Sequence, residues 1–326
     1  MKVLVIGGTR FLGPCVVEEL LGRGHEVAVF HRGERERSFG SAVAHVHGRV
    51  EEVEALAEAR EAVRPDAVVD MIHAGPETAA PVIEAFAGGV TRTVHVSTAA
   101  VYDPAAPYPM AETAPLAKAE SAPPELAARI AADELVLATA KARRLPAVLL
   151  RLATPYGPRD PWSREWYFVR RALEGRREIA LPDGGWPILH RGFAQSLAWG
   201  IAQAVEARLA AGSVFNLGDE HVVSVRELAD MVAEAMDHRW EIVPVSGEAL
   251  VHPFRQPRHF LLDLHRAKAR LHYRDRMKLR DALEITVAWL CQHPPREDWA
   301  PPGGEEMFDY AREEAVIARA RKGGGT

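Results

Sequence analysis

Cysteine is scarce in this chain: Cys15 and Cys291 are the only two in 326 residues. A disulfide framework and the paired-cysteine spacings of zinc sites are therefore excluded, which fits a reducing compartment, and no metal site is expected. Long apolar runs are missing as well. The opening stretch meets Gly7 after six residues, short of a signal peptide's apolar region and far short of the about 20 residues that span a bilayer. The expected location is the cytoplasm, with no membrane partner. Surplus positive charge is also absent, since 40 basic and 45 acidic residues leave a formal charge of −5. Nucleic acid is thus not an expected partner. Among the 40 basic residues only six are lysine. Arginine does not titrate near neutral pH, so a mechanism that needs lysine has six candidates.

What remains is an ordinary globular composition, 48% hydrophobic and 26% charged, in a chain long enough for about two domains of roughly 150 residues. Short β-rich runs alternate with helical patterns through the first half. Strands are expected at Val3–Ile6, Val27–Phe30, Ala67–Ile72, Thr93–Ser97 and Ala147–Leu152. Helices are expected at Pro14–Leu21, Val50–Val63, Glu77–Phe86 and Glu125–Ala142. This alternation predicts an α/β fold with a doubly wound parallel sheet and right-handed crossovers. Residues 159–187 carry Pro, Trp and Arg clusters and read as a loop-rich insertion. A helix at Phe193–Ala207 and a strand at Val214–Leu217 return to the sheet, and the chain is mainly helical from Val223 onward. The expected domains are 1–158 with 188–218, and a smaller, mainly helical lobe from 159–187 and 219–326.

Gly7-Gly8-Thr9-Arg10-Phe11-Leu12-Gly13 falls between the first strand and the first helix. Glycines there allow a tight turn and close helix–strand packing, and the helix N-terminus attracts a pyrophosphate. The segment resembles the short-chain dehydrogenase/reductase superfamily in its extended epimerase/dehydratase branch, whose pattern is GxxGxxG. Arg10 stands at the middle glycine, as in GGTRFLG-type members related to chloroplast stem-loop RNA-binding proteins. The resemblance implies a Rossmann-type fold and a bound NAD or NADP. The cofactor-binding set is Gly7, Gly8, Thr9, Arg10, Phe11, Leu12, Gly13, His31 and Arg32. His73 and Ala74 join it by family analogy, although His73 also reads as a packed core histidine. An NAD site usually places an acidic residue at the end of the second strand. His31-Arg32 stands there instead, and an arginine suits a 2′-phosphate. The cofactor reading is NADP ahead of NAD, with Arg32 as a solvated loop residue and Glu34 as a ribose contact left as alternatives.

Val94-His95-Val96-Ser97-Thr98-Ala99-Ala100-Val101-Tyr102 resembles the family's fourth-strand segment, and Thr98 takes the catalytic hydroxyl position. The alternative is that Thr98 only satisfies backbone groups at a strand end. The family's tyrosine acid/base normally stands four residues before a lysine that lowers its pKa. None of the six tyrosines has a lysine at that spacing. The corresponding helix aligns Glu125 with the tyrosine and Arg129 with the lysine. They read either as a substitute acid/base and ribose contact or as a helical surface ion pair. Tyr102 and Tyr108 are further phenols, with nothing in the sequence to choose either.

Further matches run to about residue 290. Leu149-Leu150-Arg151 with Tyr156-Gly157-Pro158, Val214-Phe215-Asn216-Leu217-Gly218 and Asp263 with Lys268-Ala269 each resemble the branch's later segments. Tyr156 and Arg191 are the expected substrate contacts. Trp162, Trp166 and Trp186 with Arg159, Arg164, Arg170 and Arg171 line a cleft for an anionic or aromatic ligand, form an interface, or form a small satellite core. The resemblance implies hydride chemistry on a small polar or nucleotide-sugar-like substrate with a nonstandard acid/base. The alternatives are a dinucleotide-binding or sensing protein without turnover and, behind it, RNA binding. The expected partner is a small-molecule substrate, and a homodimer is left open.

Overall fold

The computed structural model describes residues 1–34, 36–40, 42–209, 211–246, 250–254, 258–295 and 304–323. The elements run, in chain order, β1 (Lys2–Ile6), α1 (Leu12–Gly22), β2 (Glu26–His31), β3 (Val43–His47), α2 (Val53–Val63), β4 (Ala67–Asp70), α3 (Pro76–Phe86), β5 (Arg92–Thr98), α4 (Pro124–Arg143), β6 (Ala147–Leu152) and β7 (Thr154–Tyr156). They continue with α5 (Trp166–Leu173), β8 (Glu178–Pro182), β9 (Arg191–Phe193), α6 (Ala194–Glu206), β10 (Ser213–Leu217), α7 (Val225–Ala235), β11 (Glu241–Val245), α8 (His265–Leu271), α9 (Leu279–Gln292) and α10 (Tyr310–Gly323).

Two compact units result. The first comprises Met1–Pro155, Gly192–Glu220 and Leu262–Arg276. Its seven strands lie in the order β10-β6-β5-β4-β1-β2-β3, and every neighbouring pair is parallel. Helices α1 and α6 pack together, and α2, α3 and α4 pack in a row. This is the expected α/β doubly wound sheet, in which the strand order reverses between β1 and β4 and opens a crevice at the strands' carboxyl ends. The strands read as unbroken apolar runs because both faces are covered. Val3, Leu4, Val5 and Ile6 of β1 are all fully buried.

Several elements depart from expectation. The strand β3 was not anticipated, and it extends the sheet at its edge beside β2. Residues 262–276, expected with the C-terminal lobe, group with the first unit because α8 packs on β10 and α6.

The second unit comprises Tyr156–Arg191, His221–Leu261 and Met277–Thr326. The region expected to be loop-rich holds α5 and β8, and β8 pairs in parallel with the unanticipated β11. Tyr167, Phe168, Val169, Leu228, Val232, Leu283 and Phe308 join in its core. Arg171 is buried with them. Its guanidinium pairs with Glu313 at 3.0 Å and lies 3.6 Å from the Tyr167 ring centroid. Of the readings of the Trp/Arg cluster, Arg171 therefore follows the satellite core, while Trp162 and Trp186 remain exposed.

Candidate functional site

The turn from β1 into α1 is shaped by contacts that only glycine permits. Gly7 has φ +86°, and a Cβ there would lie 2.8 Å from Ile72 Cγ1. Gly13, inside the first turn of α1, approaches Gly8 so closely that a Cβ would lie 2.7 Å from the Gly8 carbonyl carbon. Phe11 caps α1 with no side-chain hydrogen bond to the helix N-terminus. Arg10, by contrast, is exposed.

Beside this turn lies a cleft of about 450 Å³, lined by Gly7, Thr9, Arg10, His31, Arg32 and Glu34 among others. Arg32 and Glu34 form an exposed pair at 3.1 Å, so the 2′-phosphate candidate and the alternative ribose contact stand together. His31 is buried, with Nδ1 accepting from the Gly33 N–H and Nε2 2.8 Å from His45 Nδ1. Burial, and then the neighbouring His45 and His47, push the His31 pKa down. Phe11 is half-buried, while Gly8, Leu12 and Gly13 are buried supports of the turn.

Beyond β4 lies a buried charge network that sequence reading missed. The β4–β5 register sets Asp70 opposite His95, and His95 Nδ1 donates to Asp70 at 3.1 Å. The other Asp70 oxygen accepts from the backbone N–H groups of Ile72 and His73. His73 lies with Nδ1 3.6 Å from Asp70, while its Nε2 donates to Asp133 of α4 at 3.0 Å. Asp133 also receives Arg151 Nε at 3.0 Å. Burial would lower the His73 pKa, but the Asp133 and Asp70 carboxylates overcome it and push it up to about 9. Burial would likewise raise the Asp70 carboxyl, yet hydrogen bonds and charge from His73 and His95 hold it well below the usual carboxylate range. The available signal was the interruption of apolar strands by Asp70, His95 and Arg151, since polar groups in covered strands need partners.

Ala74 N–H donates to Thr78 Oγ1 at 2.9 Å, and Arg129 donates to the His73 carbonyl at 3.1 Å. Arg129 thus ties α4 to the loop after β4, a different partner from the Glu125 ion pair that the sequence allowed. Glu125 is exposed on the first turn of α4. Thr98 Oγ1 accepts from the Ala100 N–H at 3.2 Å, the backbone role that was its alternative, and its own O–H remains a donor.

Tyr102 is buried, its hydroxyl donates to Asn216 Oδ1 at 2.7 Å, and burial raises its pKa. That occupied hydroxyl counts against Tyr102 as a phenolic acid/base. In the second unit, Tyr156 is buried, with the Arg191 guanidinium 4.2 Å from its ring centroid. Arg191 is itself buried and paired through Nη1 with Glu165, while its buried Nη2 has no hydrogen-bond partner among the described residues. Burial and the neighbouring Glu165 push Asp160 up to about 7.

The model of the NAD dependent epimerase/dehydratase family matches residues 3–218. The chain is 25% identical over 303 residues to the chloroplast stem-loop binding protein of 41 kDa b from Arabidopsis thaliana, covering 86% of this chain and 77% of that one. It is 28% identical over 257 residues to the 2'-dehydrokanamycin reductase of Streptomyces kanamyceticus, covering 76% and 70%. Among solved structures, dTDP-glucose 4,6-dehydratase from Bacillus anthracis in complex with NAD superposes with a TM-score of 0.74 at 19% identity, over 90% of this chain and 97% of the other. Among the described residues, no helix is long and apolar enough to cross a membrane.

Proposed function

The chain belongs to the NAD dependent epimerase/dehydratase family, and from that premise we propose that it binds a nicotinamide dinucleotide, NADP ahead of NAD, and performs hydride chemistry on a small polar or nucleotide-sugar-like substrate. The observation that carries this reading is the glycine cradle at the sheet's switch point. A Cβ at Gly7 would meet Ile72 and one at Gly13 the Gly8 backbone, so the glycines let the turn and α1 pack closely, the arrangement that sets a helix N-terminus at a pyrophosphate. Thr9 and Arg10 would hold the phosphates, and Arg32 would pair with a 2′-phosphate in place of Glu34. When bound, the dinucleotide supplies the hydride donor and acceptor.

The chain's own groups divide the remaining work. Thr98 donates its O–H to a substrate oxygen, held in orientation by the Ala100 N–H. Arg129 fixes the loop after β4 through the His73 carbonyl. With the Tyr/Lys pair absent and Tyr102 occupied by Asn216, Glu125 is the proposed acid/base.

Calorimetric titration with NADPH and NADH tests the cofactor assignment. NADPH should bind more tightly, and Arg32→Ala should weaken NADPH on the order of tenfold, the scale of one charged hydrogen bond, while leaving NADH unchanged. Equal losses for both cofactors would remove Arg32 from 2′-phosphate recognition. Hydride exchange with a panel of sugar nucleotides and carbonyl compounds tests turnover. Thr98→Ala should lower kcat about 100-fold, in keeping with loss of a positioning contact, with dinucleotide affinity retained. Full turnover in that variant would remove Thr98 from the chemistry. Dinucleotide binding with no turnover on any substrate of the panel would favour a sensing role. RNA binding has the stem-loop binding relative in its favour and the net charge of −5 against it. Salt-sensitive RNA retention would revive it.

A further inference from the structure

We propose that His31, His45 and Glu36 form a binding site for a divalent transition metal ion of the zinc class, at the carboxyl end of β2 and the edge strand β3. Their donor atoms all lie within 4.8 Å of one another. Two come from adjacent strands and the third from the segment that joins them. The β2–β3 register opposes Val29 to His45 and His31 to His47. It thereby brings three imidazoles to one corner of the sheet, with the His31 ring 5.1 Å from that of His45 and 4.8 Å from that of His47.

The hydrogen bonds orient the donors. The Gly33 N–H donates to His31 Nδ1, so Nε2 is the nitrogen that His31 presents to His45 Nδ1, 2.8 Å away. A metal ion between those nitrogens displaces the shared proton, which moves to His31 Nδ1 so that both ligands stay neutral, and the Gly33 N–H gives up that acceptor. Two ligands on a tetrahedral zinc ion, each about 2.0–2.1 Å from it, stand about 3.3 Å apart. The two rings therefore need to separate by about half an ångström. His45 can supply that movement because it is only partly buried, whereas His31 is fixed in the core. Glu36 is exposed and contacts His47 Nε2 at 2.8 Å. It can bring a carboxylate oxygen to the ion while His47 remains hydrogen-bonded to it, the outer-layer pairing that commonly orients a metal's ligands. Imidazole and carboxylate donors select zinc, cobalt, nickel or copper over magnesium and calcium. Three protein donors leave a fourth coordination position for water.

An edge strand also gains from polar side chains that discourage pairing with a second sheet. That role alone requires neither a buried histidine nor two imidazole nitrogens directed at each other. The site is independent of the dinucleotide reading, although His31 also lines the cleft beside the glycine turn.

Dialysed full-length protein titrated with Co2+ and Zn2+ tests the proposal, using visible absorption for cobalt and calorimetry for zinc. One ion per chain is expected, with the visible bands of cobalt in four- or five-coordination. His45→Ala and Glu36→Gln should each weaken binding at least tenfold. His25→Ala, which alters a histidine paired with Glu206, should leave it unchanged. Circular dichroism melts of each variant check that the fold is retained, and both ligand substitutions are at accessible side chains. Absence of saturable binding, or undiminished binding in His45→Ala, would overturn the site. A loss confined to His25→Ala would also overturn it.

Discussion

Gly13→Val is expected to abolish dinucleotide binding, with NADPH and NADH affinities both falling at least 100-fold and the melting temperature falling by several degrees. Gly13 occupies ordinary helical backbone, so the cause is contact and not torsion. Even a Cβ would sit 2.7 Å from the Gly8 carbonyl carbon and 2.9 Å from its oxygen. A branched side chain must push α1 away from the turn, at a typical overpacking cost of about 1–3 kcal/mol. The pyrophosphate would then lose the helix N-terminus and the turn amides together. Gly22→Ala is the matching control at the other end of the same helix. A Cβ there meets nothing within 4 Å, and the exchange should stabilise the protein by a few tenths of a kcal/mol with binding unchanged. Calorimetric titration and thermal melts of both variants read the contrast. An unaltered NADPH isotherm in Gly13→Val would show that the close approach of α1 does not govern binding.

Asp133→Asn is expected to cost about 3–5 kcal/mol of stability, because it strips the carboxylate from two buried cations at once. His73 Nε2 and Arg151 Nε each lie 3.0 Å from that carboxylate. The melting temperature should fall on the order of 10 °C. The variant should also change the response to pH. A histidine raised from its ordinary 6.5 to about 9 in the folded state contributes stability that is complete below pH 6.5 and lost as pH rises towards 9. The Asp70 carboxyl, held low, contributes stability that is complete above its ordinary value and lost as pH falls further into the acid range. The native protein should therefore be most stable in mildly acidic solution, with a decline from pH 6.5 to 9 that Asp133→Asn flattens. Melts across that range check both effects. A native protein with no decline would mean that His73 is neutral when folded.

The parallel sheet was legible because its strands are covered on both faces and read as apolar runs between helices of ordinary length. The glycine turn was legible because close approach leaves glycine as the residue that fits. Other elements depend on partners far along the chain. In β3, Val43–His47 carries two histidines among three small apolar residues with no regular alternation, and becomes a strand through its pairing with β2. In β8 and β11, Glu178–Pro182 and Glu241–Val245 are short, each contains a proline, and they pair only with each other. The buried charge network follows the same rule. Asp70 and His95 are 25 positions apart and meet through the β4–β5 register, while Asp133 reaches His73 only because α4 lies against that loop. Arg129 reads from the sequence as a ribose contact or a surface ion pair, and its partner, the His73 carbonyl, is a backbone group that no side-chain motif encodes.

The interleaving of the two units has a consequence for the order in which the protein matures on the ribosome. The first unit is assembled from three stretches, the last ending at Arg276. Asn216 in its outermost strand donates to the carbonyls of Met110 and Asp263. A nascent chain that has exposed β1 to β10 still lacks the Asp263 carbonyl and the α8 cover of β10. The Rossmann sheet must therefore wait, partly assembled and with an uncovered strand, while the intervening segment His221–Leu261 is synthesised. During that interval the unfinished edge is the surface from which misassembly and chaperone capture would begin.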